Sequence, residues 1–205
     1  MIVLAPLGRA GVRLIHRILY RYYGLFVYSD AADCLYLTAR AACPRDITLS
    51  DGAVVKAGDP LLVLHFWNER LEERMRRNPN VGSLLATATR PALVHLARFL
   101  ETHPAYADVR AIHAVVGFLP DVSLPRFARY IERYGFDVIL GERPGWNARR
   151  WAFWQNLFSW WMMWAFNPRS LEGKSFGAMQ RLELWMSREE LLRRYGGRAE
   201  PTPRL

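Results

Sequence analysis

The segment that most constrains the fold is residues 151–166, which carries no charged side chain and holds five of the eight tryptophans. As a helix it would rise about 24 Å, which is short of the roughly 30 Å hydrocarbon core of a bilayer. Gln155, Asn156 and Ser159 argue further against a membrane span. The segment therefore packs within the protein or meets an apolar surface from one side. Its tryptophans are Trp151, Trp154, Trp160, Trp161 and Trp164.

Three interpretations of this segment remain open. A buried core helix would need a hydrogen-bond acceptor for each indole N–H, which is difficult to provide five times in a domain of this size. An interfacial helix would place the rings at the depth of lipid headgroups, where Arg149, Arg150 and Arg169 would meet phosphates. A protein or ligand contact would use the rings as aromatic anchors.

A second constraint is the spacing of the arginines near the start of the chain. Arg9, Arg13, Arg17 and Arg21 recur every fourth residue, which places them along one side of a helix that ends near Gly24. No acidic residue precedes Asp30, so this helix is basic and amphipathic. It is either a terminal helix that packs on the core with a solvated arginine edge or a helix that lies on a membrane surface.

Composition limits the class of protein. The chain has 205 residues, is 51% hydrophobic and carries a net charge of +9, which excludes a disordered chain and a polytopic membrane protein. We expect one domain over residues 1–197 and a disordered tail over residues 198–205. Nearly all the positive charge is arginine, which suits anionic partners, but no nucleic-acid motif is present and nucleic-acid binding is not expected.

Cysteine use and the first residues bear on location. Cys34 and Cys43 do not form a zinc motif, and no cofactor is expected. Residues 1–7 lack the basic start and the length of a secretory signal. We therefore expect a cytoplasmic protein, at the periphery of the inner membrane.

Turn residues and hydrophobic periodicity predict an α+β domain, in which a mixed or antiparallel sheet of five to seven short strands is flanked by helices. Residues 61–66 are expected to form a central buried strand, and Pro91 is expected to kink or restart a helix. Ser187 and Glu190 form a capping-box pattern that opens the last helix. The other predicted strands are residues 25–28, 34–39, 54–55, 109–119, 136–140 and 182–186, and the predicted helices are residues 9–21, 68–77, 84–102, 124–134 and 188–195.

Residues 64–71 contain the best candidate for a catalytic site. His65, Asn68, Glu69 and Arg70 place an imidazole, an amide, a carboxylate and a guanidinium at the end of a strand, where sheets commonly present reactive groups. A structural alternative is that Asn68 caps the following helix, with Glu69 in its first turn. The common catalytic motifs for hydrolases, phosphate loops, dinucleotide folds and zinc proteases are absent from the sequence.

Several short motifs together resemble the YkoP-like domain family. They are Asp51-Gly52, Gly58-Asp59, residues 64–71, Val116-Gly117-Phe118-Leu119 and Tyr134-Gly135-Phe136. The family occurs as free-standing bacterial proteins and attached to polysaccharide deacetylase domains. The resemblance implies a cell-envelope or surface-polysaccharide setting, but it implies no reaction, and the deacetylase's metal-binding motif is not visible in this sequence.

Two functions follow as hypotheses. The first is a peripheral accessory protein that docks on an anionic membrane or an apolar protein surface through residues 9–21 and 151–169. The second is an enzyme that acts on an envelope lipid or sugar intermediate through His65, Asn68 and Glu69.

Overall fold

The computed structural model describes residues 4–78, 80–119, 124–140, 146–166, 168–172, 175–176 and 180–197. Within these ranges the helices are α1 (Leu4–Tyr22), α2 (Asn68–Arg77), α3 (Val81–Thr102), α4 (Leu124–Glu132), α5 (Trp146–Phe166) and α6 (Arg188–Tyr195). The strands are β1 (Tyr36–Ala42), β2 (Ile47–Thr48), β3 (Val54–Val55), β4 (Pro60–Phe66), β5 (Ala111–Leu119), β6 (Asp137–Leu140) and β7 (Gln180–Ser187). Short 3-10 helices cover Pro104–Tyr106 and Pro168–Leu171.

Five strands form one mixed sheet in the order β1-β4-β5-β7-β6. Only β4 and β5 pair in parallel, and α2 and α3 make the crossover between them, because parallel neighbours need a long connection. The remaining pairs are antiparallel. β2 and β3 form a separate small hairpin. The predicted α+β class with a mixed sheet is confirmed.

One face of the sheet carries the main hydrophobic core. Alternate residues of β4, β5 and β7 point toward α3, α4 and α6, as the period of a strand requires. Gly135 ends the α4 region in a left-handed conformation (φ 92°), which favours glycine. The fully buried side chains in this core include Leu62, Leu96, Leu100, Ile112, Leu182, Met186 and Leu191.

The opposite face is apolar at one end and polar at the other. Leu61, Ala111 and Trp185 pack beneath the β2-β3 hairpin, where Ile47 and Val55 cover them. Further along the same face the side chains are His65 of β4, His113 of β5 and Glu183 of β7, because residues two apart in a strand share a face. These three polar side chains therefore lie at one end of this face.

α1 and α5 form a third layer. Val12 of α1 packs with Met162, Ala165 and Phe166 of α5 in a small separate cluster. α5 also reaches the polar face, because Arg181 of β7 donates hydrogen bonds to the side-chain oxygens of two α5 residues, Gln155 and Asn156.

Several expectations about single elements need correction. Residues 25–28 are not a strand: only an isolated bridge joins Phe26 to Thr38. β4 is an interior strand, but β5 is the middle one, because the chain places β7 and β6 on the far side of β5. α1 begins at Leu4 rather than at Arg9, and α3 continues through Pro91. The predicted tail, residues 198–205, lies outside the described residues.

No helix in the described part of the chain is both long enough and apolar enough to cross a membrane. The charge-free segment is part of α5, whose first residue is Trp146.

The capping pattern at α6 generates a stability prediction. Ser187 Oγ accepts a hydrogen bond from the Glu190 backbone N–H (2.9 Å) and donates one to Asp51. We expect Ser187→Ala to lower the free energy of unfolding by about 1 to 3 kcal/mol, since both contacts are lost at a buried position. Urea denaturation would measure this loss. Ser83→Ala, at an exposed position in α3, should change the value by less than about 0.5 kcal/mol.

Candidate functional site

The arginine side of α1 faces the protein in its first half. Arg13 Nη2 lies 3.0 Å from both carboxylate oxygens of Glu72 in α2 and 3.3 Å from the Ala165 carbonyl. The Arg13 guanidinium also stacks over the Phe166 ring, 5.0 Å from its centre, and that of Arg9 lies 5.4 Å from the Trp164 ring centre. Arg13 therefore joins α1, α2 and α5. Arg9 and Arg13 are half-buried, so the arginine edge is only partly solvated in this half.

The second half of the arginine row is exposed. Arg17 and Arg21 both lie at the surface of α1. They border the side of the helix that points away from the protein, and that side is apolar. Leu7, Leu14, Ile15 and Ile18 are between 45% and 65% exposed, and Tyr22 is 79% exposed.

α5 divides its aromatic residues between an inner and an outer side. Met162, Ala165 and Phe166 are buried, whereas Trp160 and Trp164 are half-buried. Trp154 is 58% exposed, Trp161 43% and Phe153 49%. One side of this helix is therefore buried in the protein, and the other side is exposed to solvent. The side chains of Arg149, Arg150, Trp151 and Arg169 lie outside the described residues.

The exposed side chains of α1 and α5, which we call together the apolar ridge, adjoin where Ile15 and Trp161 line the same groove. An exposed hydrophobic surface of this kind is unusual on a protein that works alone. The apolar ridge comprises Leu7, Leu14, Ile15, Ile18 and Tyr22 of α1 with Phe153, Trp154 and Trp161 of α5.

A second candidate site lies on the protein side of α1, around the buried His16. His16 Nε2 is 3.2 Å from Asn68 Nδ2, and His16 Nδ1 is 3.5 Å from Glu69 Oε1. The distance between His16 Nδ1 and Glu69 Oε1 allows an ion pair but not a hydrogen bond. His16 Nδ1 and the other carboxylate oxygen, Glu69 Oε2, are both buried without a hydrogen-bond partner among the described residues. Buried polar atoms of this kind require a partner such as an ordered water, an ion or a bound group.

The cluster continues across the polar face of the sheet. His113 stacks on Trp185 with the ring centres 4.1 Å apart, and its Nε2 is 3.9 Å from Glu183 Oε2. Glu183 also accepts hydrogen bonds from Arg45 (2.8 Å) and from the Trp185 indole (3.0 Å). We call the connected set the polar row; its members are His16, His65, Asn68, Glu69, His113 and Glu183.

Burial and neighbouring charges set the protonation of the polar row. Burial lowers the pKa of His113 to about 4, with Arg45 and His65 lowering it further and Glu183 opposing them. Burial and the neighbouring His16 lower the pKa of His65, although its side chain retains access to solvent. Burial acts to raise the pKa of Glu69, but its interactions with His16, the backbone and Arg17 lower it overall. At neutral pH His65 and His113 are therefore uncharged, and an uncharged imidazole accepts protons.

The structure brings together three of the four residues predicted for a catalytic site. His65, Asn68 and Glu69 all neighbour His16. Arg70 points elsewhere: it donates to the Ala31 and Cys34 carbonyls (2.7 and 3.1 Å) and stacks on Trp67.

Of the two parts of the structural alternative, the cap at Asn68 is wrong and the position of Glu69 is confirmed. The side chain of Asn68 does not cap α2, because its amide contacts His16 and the helix already begins at Asn68. Glu69 does lie in the first turn. Sequence reasoning missed His16, His113 and Glu183; the available signals were a histidine within the basic helix and polar residues at alternate positions of apolar strands.

No group of three histidine, cysteine, aspartate or glutamate side chains within the described ranges has the geometry to hold a metal ion.

These features define an α+β domain whose mixed sheet carries a helical core on one face and, on the other, a row of histidine and glutamate side chains beside an aromatic, arginine-flanked surface. A model of the YkoP domain matches residues 13–195, and the chain belongs to that family. The match begins at Arg13, so it includes the polar row and most of the apolar ridge. Comparisons with curated proteins and with solved structures find no match.

The lowered histidine pKa values generate a pH prediction. Unfolded histidine titrates near 6.5, so between about pH 6.5 and pH 4 the unfolded chain binds a proton that folded His113 does not. The free energy of unfolding should therefore fall as the pH is lowered through this window, by roughly 1 to 3 kcal/mol from His113, with His65 adding in the same direction. Urea denaturation at pH 7, 6, 5 and 4.5 would measure the slope.

Substitution isolates the contribution of His113. His113→Asn should flatten the slope, whatever it does to the stability at pH 7. Val115→Ala, an exposed position on β5 that does not titrate, should leave the slope unchanged. An unaltered slope in His113→Asn would contradict the assignment.

Proposed function

We propose that the protein is a peripheral membrane protein that docks on an anionic lipid surface through the apolar ridge. The observation that carries the proposal is the orientation of α1, which turns Leu7, Leu14 and Ile18 outward and Arg13 inward. A helix that only covered a core would bury the leucines and isoleucines, since their burial is the main source of packing energy.

The aromatic part of the ridge supports a lipid interface. Trp154 and Trp161 project from α5 beside the exposed residues of α1. Tryptophan is enriched where hydrocarbon meets headgroups, because its ring is apolar and its N–H bonds to water or phosphate. Two adjoining helices with outward apolar sides match the geometry of a protein that lies on a membrane rather than across it.

Charge favours an anionic lipid surface over an apolar protein surface. Arg17 and Arg21 are exposed along the edge of the ridge, and neither residues 4–22 nor residues 146–166 contain an aspartate or glutamate. Each arginine near an anionic bilayer contributes about 1 kcal/mol to binding. The family resemblance suggests a cell-envelope or surface-polysaccharide setting, and we place the docking at the cytoplasmic face of the inner membrane.

Vesicle flotation tests the proposal. We expect the protein to float with vesicles of phosphatidylglycerol and phosphatidylcholine at low salt, and to float less as salt rises. Ile18→Ser with Trp161→Ser should weaken binding at least tenfold, since each lost side chain removes roughly 1 kcal/mol of apolar insertion.

Val54→Ser is the matched control. Val54 is similarly exposed at 46% but lies on the β2-β3 hairpin, so the substitution should leave flotation unchanged. Folded protein that stays with the soluble fraction contradicts the proposal. Concentration-dependent self-association that the double variant abolishes would instead assign the ridge to a protein contact.

A second candidate function is an enzyme that acts on an envelope lipid or sugar intermediate. One observation favours it: His16 Nδ1, Glu69 Oε2 and His113 Nε2 are buried without hydrogen-bond partners among the described residues, and the side chains of His16 and His113 neighbour the solvent-accessible His65. Unpartnered polar atoms beside an uncharged imidazole fit a site where His65 acts as a general base on a bound hydroxyl or water.

Nitrophenyl esters and nitrophenyl glycosides would test this candidate as chromogenic probes. Hydrolysis should be lost in His65→Ala and reduced at least tenfold in Glu69→Gln. His103→Ala, at an exposed position in the helix cap of α3, is the control and should retain the rate. Absence of turnover by the native protein, or turnover that survives His65→Ala, contradicts an enzymatic role for the polar row.

A further inference from the structure

A groove with a volume of about 550 Å³ runs between α1 and α5. Its walls are apolar, with Gly8, Gly11 and Ile15 on one side and Trp160, Trp161 and Trp164 on the other. The volume falls within the range of small-ligand sites. The groove opens on the apolar ridge, because Ile15 and Trp161 belong to both.

The two glycines explain why the groove is open. A Cβ atom on Gly8 would lie 3.0 Å from the Trp164 ring, so glycine allows this close approach of the helices. A Cβ atom on Gly11 would meet nothing within 4 Å. Glycine within a helix costs about 1 kcal/mol relative to alanine, and at Gly11 no neighbouring group in the described chain explains that cost. The absence of a side chain at Gly11 leaves this part of the groove empty.

A cationic group stands beside the apolar walls. The Arg9 guanidinium lies over Trp164, and Arg9 Nε is buried without a hydrogen-bond partner among the described residues. Arg9 as a whole is only half-buried, so other N–H groups of its guanidinium can donate charge-assisted hydrogen bonds to a phosphate oxygen. The groove and Arg9 together have the polarity of an anionic amphiphile.

We propose that the groove binds one acyl chain of an anionic bilayer phospholipid, whose phosphate Arg9 contacts. This inference rests on the proposed membrane docking: the ridge brings the groove to the hydrocarbon, and a chain that enters it passes from one apolar environment to another. The groove then adds selectivity for an individual lipid to the general attraction of the surface.

Two measurements separate this inference from the docking proposal. The first is vesicle flotation. The second is tryptophan fluorescence during titration with monomeric lysophosphatidylglycerol, kept below its micelle concentration so that no surface is present. Gly11→Leu places a side chain in the groove at a position where its Cβ meets nothing within 4 Å, whereas Ala10→Leu adds the same side chain at an exposed neighbouring position of α1.

Gly11→Leu should weaken binding of the monomeric lipid at least tenfold and change flotation less than threefold. Ala10→Leu should leave lipid binding unchanged. Arg9→Gln should weaken binding of lysophosphatidylglycerol severalfold more than that of neutral monoacylglycerol. Gly11→Met, with a flexible side chain of similar volume, repeats the test if the leucine variant does not fold.

Three other results would each contradict either the groove assignment or the docking proposal. Native protein that floats with vesicles but binds no monomer, or a Gly11→Leu variant with native affinity, overturns the groove assignment and leaves docking intact. Monomer binding without flotation overturns docking and, with it, the bilayer as the source of the lipid.

Discussion

The contacts of Arg13 determine which side of α1 faces the protein and which side faces solvent. Its guanidinium meets the Glu72 carboxylate, the Ala165 carbonyl and the Phe166 ring, which belong to two different helices. The charge-assisted contact with Glu72 and the stacking on Phe166 hold this side of α1 against α2 and α5. Since the partners lie beneath α1, that helix turns its polar side inward, and its leucines and isoleucines are left facing solvent.

The same constraint connects the two candidate sites. The inward side of α1 also carries His16, which completes the polar row with Asn68 and Glu69. The outward side carries half of the apolar ridge. One helix therefore forms a wall of both sites, and His16 is held there between the rings of Tyr20 and Phe166.

Local patterns in the sequence were sufficient for much of the fold. Ser187 with Glu190 predicted the start of α6, and the sequence also predicted the short strand at residues 54–55. The order of the strands was not predictable, because it depends on pairing between residues as distant as Ala111 and Ser187. The polar row was partly predictable: residues 65–69 are local, but His16 and His113 join them only through tertiary packing. The orientation of α1 was not predictable, since periodicity shows that a helix has two sides but not which one finds partners.

The position of β7 has a consequence for synthesis. β7 lies between β5 and β6, yet it is followed only by α6 in the described chain. While the ribosome is still making residues 180–187, β5 has an unpaired edge nine residues long that presents free backbone groups. Chains emerge from the amino end first, so the nascent protein must protect that edge until β7 has been made. A chaperone that occupies the open β5 edge would meet this need, and truncation before β7 would expose a site for aggregation.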